Sequence, residues 1–277
     1  MSAQAVIAEP SHYFSRVFAL LRRSATRLVG PPSQPLRAEA ARRLRRQAAL
    51  LTMVLGVAIL VLMFAIDARE IVLMPPRRSA GLWAVRVLTD FGKAANVLWS
   101  LAAMLLVVAM AVPRLRGRWR SRLIGFGTHL QFVFFAVLAP ILAGEVIKWI
   151  VGRGRPFVGG KADAFNFAHF AGTQAYASFP SAHAITAFAL AFAVSAVWPR
   201  AWLVMSAYAV LIAATRLVLL AHHPSDVVAG ALIGVVGAMS VRYWFAARRL
   251  GFGIRGDGII VPLAGHLKGV AREASAP

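Results

Sequence analysis

Six stretches of this chain, near residues 49–66, 94–112, 124–147, 182–199, 201–220 and 226–245, are built mostly of Ala, Val and Leu and carry few charges. Most come close to the ~20 residues that take an α-helix across the hydrocarbon of a bilayer. A soluble domain would not normally be so apolar: 59% of the 277 residues are hydrophobic. The runs predict an all-α fold, a polytopic membrane bundle of six transmembrane helices.

The 31 Lys and Arg against 10 Asp and Glu give a net charge of +21. Such a balance is shared by nucleic-acid-binding proteins, but no motif of that kind is present. The basic residues fall between the apolar runs instead. Arg42, Arg43, Arg45 and Arg46 precede the first run; Arg114, Arg116, Arg118, Arg120 and Arg122 follow the second; Arg200 follows the fourth; Arg242, Arg248 and Arg249 close the sixth. With six crossings these segments share one face, which the positive-inside rule makes cytoplasmic. The loop 67–93, with Arg69, Arg77, Arg78, Arg86 and Lys93, weakens that asymmetry without reversing it. The expectation is a multi-pass protein of the cell's inner membrane, with both termini cytoplasmic and membrane lipids, not nucleic acid, as partners. The absence of cysteine excludes disulfides, thiolate metal sites and thiol redox chemistry. No cleavable secretory signal is visible ahead of the first run, so that run is expected to act as the insertion signal.

Residues 1–47 read as a basic amphipathic cytoplasmic segment. Within it, Ser11–Val29 places Phe14, Val17, Phe18 and Leu21 at helical spacing among Arg16, Arg22, Arg23 and Arg27, the pattern of a helix lying on a membrane surface. Residues 48–247 form the membrane domain, and 248–277 a Gly-rich cytoplasmic tail. The segment 80–93 reads as an interfacial amphipathic helix, with Asp90 and Lys93 either lining a headgroup entrance or simply interfacial. Gly251–Gly258 lacks the Lys-Ser/Thr of a phosphate loop and reads as flexible tail. Gly230 and Gly234 have the spacing of a close helix–helix contact. His129 and Gln131 are expected to be hydrogen-bonded between helices.

Chemistry-bearing residues concentrate in three short clusters at run ends, all on the face opposite the arginines. In the first, Lys148 closes the third run and Arg155-Pro156 follows a Gly-rich turn. A Lys offers a point charge and an Arg a bidentate fork to phosphate oxygens, although cations at a membrane boundary also snorkel there for no chemical purpose. In the second, Pro180-Ser181-Ala182-His183 opens the fourth run. Ser181 is a good N-cap, and free N–H groups at a helix start bind anions. His183, in the first turn, is placed to act as a general acid. In the third, Arg216 is followed by His222 and, four positions on, by Asp226. That spacing predicts a carboxylate holding one imidazole nitrogen and leaving the other nucleophilic, or else a purely structural His–Asp pair. His223, at i,i+3 from Asp226, is assigned no chemistry. Ionisable groups beside a bilayer are costly enough that three such clusters on one face point to a single site.

Lys148-x6-Arg155-Pro156, Pro180-Ser181-Ala182-His183 and Thr215-Arg216-x5-His222-x3-Asp226 together resemble the type 2 phosphatidic acid phosphatase (PAP2) superfamily, whose pattern is K-x6-R-P, P-S-G-H and S-R-x5-H-x3-D. The resemblance covers roughly residues 80–245. It departs at Ala182, where Gly is usual and where the added methyl crowds a close phosphate approach, and at Thr215, where Ser is usual. It implies that Lys148, Arg155, Ser181 and Arg216 bind the phosphate, that His222 attacks phosphorus, that Asp226 orients His222, and that His183 protonates the leaving group. Neither metal nor cofactor is implied.

The expected function is hydrolysis of a lipid phosphate or pyrophosphate at the outer face, through a phosphohistidine. Undecaprenyl pyrophosphate, phosphatidylglycerophosphate, phosphatidic acid and lipid A 1-phosphate are the candidates. The loop 159–178, with Phe165, Phe167, Phe170 and Tyr176, is expected to cover the site or touch lipid. Two other readings use the same residues: a lipid phosphotransferase, and a non-catalytic binder or transporter of lipid phosphates. The binder needs the cations but neither histidine.

Overall fold

The computed structural model describes residues 13–74, 80–160 and 162–263. Ser11, Arg77, Arg78 and the tail beyond 263 lie outside the described residues. The helices in chain order are α1 (Tyr13–Val29), α2 (Arg37–Ala65), α3 (Asp67–Leu73), α4 (Trp83–Thr89), α5 (Ala94–Ala111), α6 (Gly117–Val151), α7 (Ala182–Val197), α8 (Trp202–Val218) and α9 (Pro224–Ala247).

Among the described residues five helices are long and apolar enough to cross a membrane: α2, α5, α6, α8 and α9, with short 3₁₀ extensions on α5 and α8. The expected fourth crossing is the exception. Helix α7 has 16 residues, about 24 Å at 1.5 Å per residue and short of a full bilayer core. It starts directly after Ser181 and ends at Trp198-Pro199, where proline removes the donor needed to continue. Among the described residues five helices therefore meet the spanning criterion, and the remaining expected crossing is the shorter apolar helix α7.

The short helix is also the most enclosed. Ala184, Ile185, Ala187, Ala189, Ala191 and Ala193 of α7 are all buried, so α7 is wrapped by protein instead of facing lipid. Small residues permit this. A Cβ added at Gly230 of α9 would lie 2.6 Å from the Ser181 carbonyl oxygen, and one at Gly234 would lie 2.5 Å from that of Ile185. The two glycines therefore set how closely α9 approaches α7, as their spacing predicts. By contrast Leu50, Met53, Val57, Leu60 and Phe64 of α2 are exposed, a lipid-facing outer surface.

Helix α2 carries Arg42–Arg46 on its own first turns, so the basic cluster continues the first membrane helix without a break. Helix α1 lies against the bundle: Gln131 Nε2 of α6 donates to Ser24 Oγ at 2.7 Å, and the Tyr13 hydroxyl donates to the Met110 carbonyl at 2.6 Å. Phe14, Phe18 and Leu21 remain exposed. His129 lies beside Trp198 and Phe252, with ring centroids 6.5 and 6.1 Å away.

The structure is not wholly helical. Phe252–Ile254 (β1) pairs antiparallel with Ile260–Pro262 (β2), with Gly258 at φ +76 in the connecting turn. Phe252 is buried, its ring 4.7 Å from that of Phe132. Residues 252–262 therefore pack on the bundle, where the glycine content alone predicts a flexible tail.

Candidate active site

Helix α6 ends at Gly152, whose φ of +55 is open to glycine at little cost. A Cβ there would lie 1.8 Å from the Ala168 carbonyl oxygen, so any other residue would push the loop away. The chain then runs between two parts of the 159–178 loop. Gly154 N donates to Asn166 O at 2.8 Å, Arg155 N to Ala175 O at 2.9 Å, and Ser178 N to Arg153 O at 3.0 Å. The loop thus holds the first cluster in place. It also leaves Phe165, Phe167 and Phe170 exposed beside the site, with Phe165 against Phe64 of α2 and Phe170 against Trp149 of α6.

The second cluster starts α7. Ser181 N donates to the Asp226 carbonyl at 3.0 Å, which ties the start of α7 to α9. Ser181 Oγ does not cap the helix. It and His183 Nε2 are buried polar atoms with no hydrogen-bond partner among the described residues. Such atoms cost free energy unless something pairs with them, and both sit at the start of α7, Ser181 as its N-cap residue and His183 in its first turn, where an anion is favoured. Ala182 is already helical, and its side chain packs against the main core cluster. A 3₁₀ turn, Asp90–Gly92, packs on the same place: a Cβ at Gly92 would come within 3.4 Å of His183 Cδ2. Asp90 and Lys93 form a half-exposed ion pair at 2.8 Å and bear electrostatically on His183, together with Arg216 and Arg155.

In the third cluster Arg216 is buried on α8, and its Nη1 donates to Thr89 Oγ1 at 2.7 Å. Thr215 donates to the same Thr89 oxygen at 3.0 Å, so the Thr in place of Ser keeps its hydroxyl in use. Beyond α8, Leu220 adopts φ +47, a left-handed conformation that is uncommon for a branched side chain and reverses the chain toward His222. His222 is buried, with Nδ1 2.7 Å from the Ser178 carbonyl oxygen. A carbonyl can only accept, so Nδ1 carries the proton and Nε2 keeps its lone pair. Burial holds this imidazole well below its ordinary 6.5, and the Arg216 and Arg155 charges add to the effect.

The i,i+4 relation between His222 and Asp226 does not bring the two side chains together. Helix α9 begins at Pro224, after His223 as its N-cap, so His222 lies outside the helix and the helical-face argument fails there. Asp226 instead accepts from the Ser178 hydroxyl at 2.6 Å and the His223 backbone N–H at 2.9 Å through Oδ2, and from Arg153 Nη1 at 2.6 Å through Oδ1. Its path to His222 passes through Ser178, whose hydroxyl meets Asp226 and whose carbonyl meets the imidazole.

Lys148 pairs with Glu145 one turn earlier on α6. Arg155 Nη2 reaches Gln174 Oε1 at 3.3 Å. The structure thus groups Arg155, Arg216, Ser181, His183 and His222 at one end of the bundle, with Lys148 nearby and turned to its own helix.

Three further residues enter the site. Arg153 is 1% exposed and links Asp226 and Ser225 of α9 to Asp67 of α3. Ser178 and Thr89 position His222 and Arg216. The alternation of Arg153 and Arg155 in a Gly-rich turn is visible in the sequence, but nothing local separates the buried arginine from the one grouped with Arg216 and the two histidines. Among the described residues no group of three or more His, Cys, Asp or Glu is arranged to hold a metal ion.

Residues 129–250 match the family model described as the PAP2 superfamily. A lipid A 1-phosphatase of Rhizobium johnstonii is 35% identical over 136 residues, 49% of this chain and 55% of that protein. A lipid A 1-phosphatase of Rhizobium etli is 33% identical over 136 residues, 49% and 58% of the two chains. An Escherichia coli K12 protein provisionally named undecaprenyl-diphosphatase YbjG is 34% identical over 126 residues, 43% of this chain and 59% of its own length. The chain spans between half and three fifths of each of these relatives. No solved structure matches it.

Proposed function

We propose that this chain, whose residues 129–250 match the PAP2 superfamily model, is a member of that superfamily and an integral-membrane phosphatase that hydrolyses a lipid phosphate or pyrophosphate through a phosphohistidine at His222. The observation that carries this reading is the Nδ1–Ser178 carbonyl contact of 2.7 Å. It fixes the tautomer that leaves Nε2 nucleophilic, in an imidazole that burial and two guanidinium groups keep unprotonated.

Arg155 and Arg216, with Lys148, neutralise the phosphate oxygens. Ser181 Oγ and the free N–H groups of α7 add donors where charge grows in the transition state. The His222 Nε2 lone pair forms the N–P bond while the P–O bond to the lipid breaks. The leaving oxygen takes a proton from His183. The bound phosphate supplies the negative charge that favours a proton on the His183 imidazole. A water then attacks phosphorus with His183 as base, which releases inorganic phosphate and frees His222. Positioning and charge supply this chemistry, and Arg, Lys, Ser and His form a donor set that binds phosphate directly, without a metal.

The site lies at the end of the bundle away from the Arg-rich loops, and the positive-inside rule then favours a six-crossing inner-membrane topology with the site outside. Helix α7 supplies the sixth crossing, its short length offset by its enclosure within protein. The exposed Phe165, Phe167 and Phe170 suit a site that takes a headgroup while the chains stay in lipid. Among the four candidate lipids, lipid A 1-phosphate is favoured by the names of the two Rhizobium relatives, and undecaprenyl pyrophosphate by that of the E. coli relative.

The test is phosphate release by purified protein from lipid A 1-phosphate, undecaprenyl pyrophosphate, phosphatidylglycerophosphate and phosphatidic acid, with and without chelator. Release from the first at the highest kcat/KM, unaffected by chelator, is expected. No release from any of the four would overturn the reading. Transfer to a second lipid in place of release of free phosphate would make the protein a phosphotransferase.

A further inference from the structure

Helix α3 lies outside residues 129–250, yet one of its side chains is built into the candidate site. Asp67 is fully buried. Its Oδ2 accepts from Arg153 Nη2 at 2.8 Å and from the Ser225 hydroxyl, and its Oδ1 accepts from Ser225 N at 3.1 Å. Arg153 in turn donates from Nη1 to Asp226 Oδ1 at 2.6 Å, and from Nε and Nη2 to the Ala164 carbonyl at 3.1 and 2.7 Å. Every guanidinium nitrogen is thus committed, and none is left to meet a phosphate.

A buried guanidinium held between two carboxylates has one orientation. Removing either carboxylate leaves it free to turn, and the groups beyond it lose their reference. From Arg153 the contacts continue through Asp226 and Ser178 to His222 Nδ1, each at 2.6–2.7 Å. The Arg153 carbonyl also accepts from Ser178 N at 3.0 Å, so the backbone of the same arginine steadies the residue that holds the imidazole.

We infer that Asp67 is a positioning residue for the reaction: it locks Arg153 and, through Asp226 and Ser178, aims His222 at the phosphate. The inference rests on the reading of His222 as the nucleophile. It makes α3, 155 residues before His222 in the chain, part of the catalytic apparatus, although no motif marks it.

The experiment is a double-mutant cycle on purified protein with Asp67→Asn, Arg153→Gln and the pair. Kinetics are normalised to folded protein, with the lipid that gives the most phosphate release as substrate. Misaiming by about 1 Å costs roughly a hundredfold in rate, so Asp67→Asn is expected to lower kcat by about that factor and leave KM within about twofold. The pair is expected to lose no more than Arg153→Gln alone, because the two residues act in series. Should Asp67→Asn fail to fold, Asp67→Glu, which keeps the charge but shifts it by one CH₂, is expected to show a smaller loss in kcat alone. A readout free of turnover is the affinity for orthovanadate, a phosphate transition-state analogue, expected to weaken about tenfold in Asp67→Asn by the same misaiming. Wild-type kcat and vanadate affinity in the variant, a change confined to KM, or fully multiplicative losses in the pair would each overturn the inference while the phosphatase reading stands. A wild-type protein that neither releases phosphate nor binds vanadate would overturn both.

Discussion

Arg153 and Asp226 meet as a buried ion pair, Nη1 to Oδ1 at 2.6 Å, across 73 residues of sequence. The pair joins the turn after α6 to the first turn of α9, and so locks together the segments that carry Arg155 and His222. A Coulomb attraction alone would not justify burying both ions. The pair is tolerable because its remaining polar atoms are satisfied, by Asp67, Ser225 and the Ala164 carbonyl on one side and by Ser178 and the His223 N–H on the other. Two buried carboxylates, Asp67 and Asp226, face the single guanidinium, so the cluster is one charge short of neutral and depends on Arg153.

The two histidines are expected to fail differently. His222→Ala removes the nucleophile and should lower phosphate release by three orders of magnitude or more, with no phosphoprotein formed. His183→Ala removes the acid of the first step and the base of the second, and should cost about 10²–10⁴ on a lipid substrate. Its loss should shrink on an aryl phosphate whose leaving group needs no proton. Release rates on lipid and aryl phosphate, each normalised to membrane-embedded protein, check both. Equal losses for His183→Ala on the two substrates would remove its role as acid.

Ser178→Ala deletes the hydroxyl that donates to Asp226 Oδ2 at 2.6 Å but keeps the carbonyl that holds His222. Asp226 then retains the His223 N–H and Arg153. The expected result is a loss of about 1–3 kcal/mol of stability, the cost of a hydrogen bond removed from a buried charged group, with a smaller drop in kcat than Asp226→Asn. Thermal unfolding in detergent alongside turnover measures the two effects.

The membrane class, the three clusters and the close contact of Gly230 and Gly234 with α7 were all legible in the sequence, because composition, motif spacing and small-residue spacing are local signals. The misses share one cause. Helical spacing between His222 and Asp226 presumed a helix that starts two residues too late for it. Asp67 and Arg153 are ordinary loop-end charges until the fold buries them 86 residues apart. Phe252 looked like tail because its partners, Phe132 and His129, sit on a distant helix. Helix α7 carried the apolar composition of a crossing, but Ser181 and Pro199 bound it more tightly than composition shows.

The α7–α9 contact offers a test of packing. A side chain at Gly234 must displace the Ile185 carbonyl at 2.5 Å and the Ala189 backbone N at 3.1 Å, and neither belongs to a flexible side chain. Gly234→Val is therefore expected to separate the two helices, costing about 1–3 kcal/mol as overpacking does, and to move Ser181 and His183 relative to His222. Gly56→Val on α2 is the control: a Cβ there meets nothing within 4 Å, and the variant should keep wild-type Tm and activity. Equal Tm for the two variants would refute the account of the contact.

The last prediction concerns pH and Glu70. This side chain of α3 is buried, and neither carboxyl oxygen has a hydrogen-bond partner among the described residues. Burial, and the neighbouring carboxylates Asp67 on α3 and Asp226 on α9, push its pKa up from 4.5 to about 8. Between those values the native state holds a proton that the unfolded chain has released, so Glu70's contribution to stability is complete below about pH 4.5, declines as pH rises, and is gone above about pH 8. Above that value the added charge faces Asp67 and Asp226 with Arg153 as their shared counterion. Glu70→Gln keeps the shape and removes the titration. Relative to that variant, the wild type is expected to lose Tm steadily from pH 5 to pH 8 and to lose activity earlier on the alkaline side. His222 titrates in the opposite sense. Depressed below 6.5, it contributes stability that is present above that pH and lost as the pH falls through its native value. It also stays unprotonated through pH 6.5, so kcat/KM should show no acid limb there from the nucleophile. A Glu70→Gln profile parallel to wild type from pH 5 to pH 8 would show that the carboxyl is ionised throughout, and that the α3 acids share the site's proton balance differently.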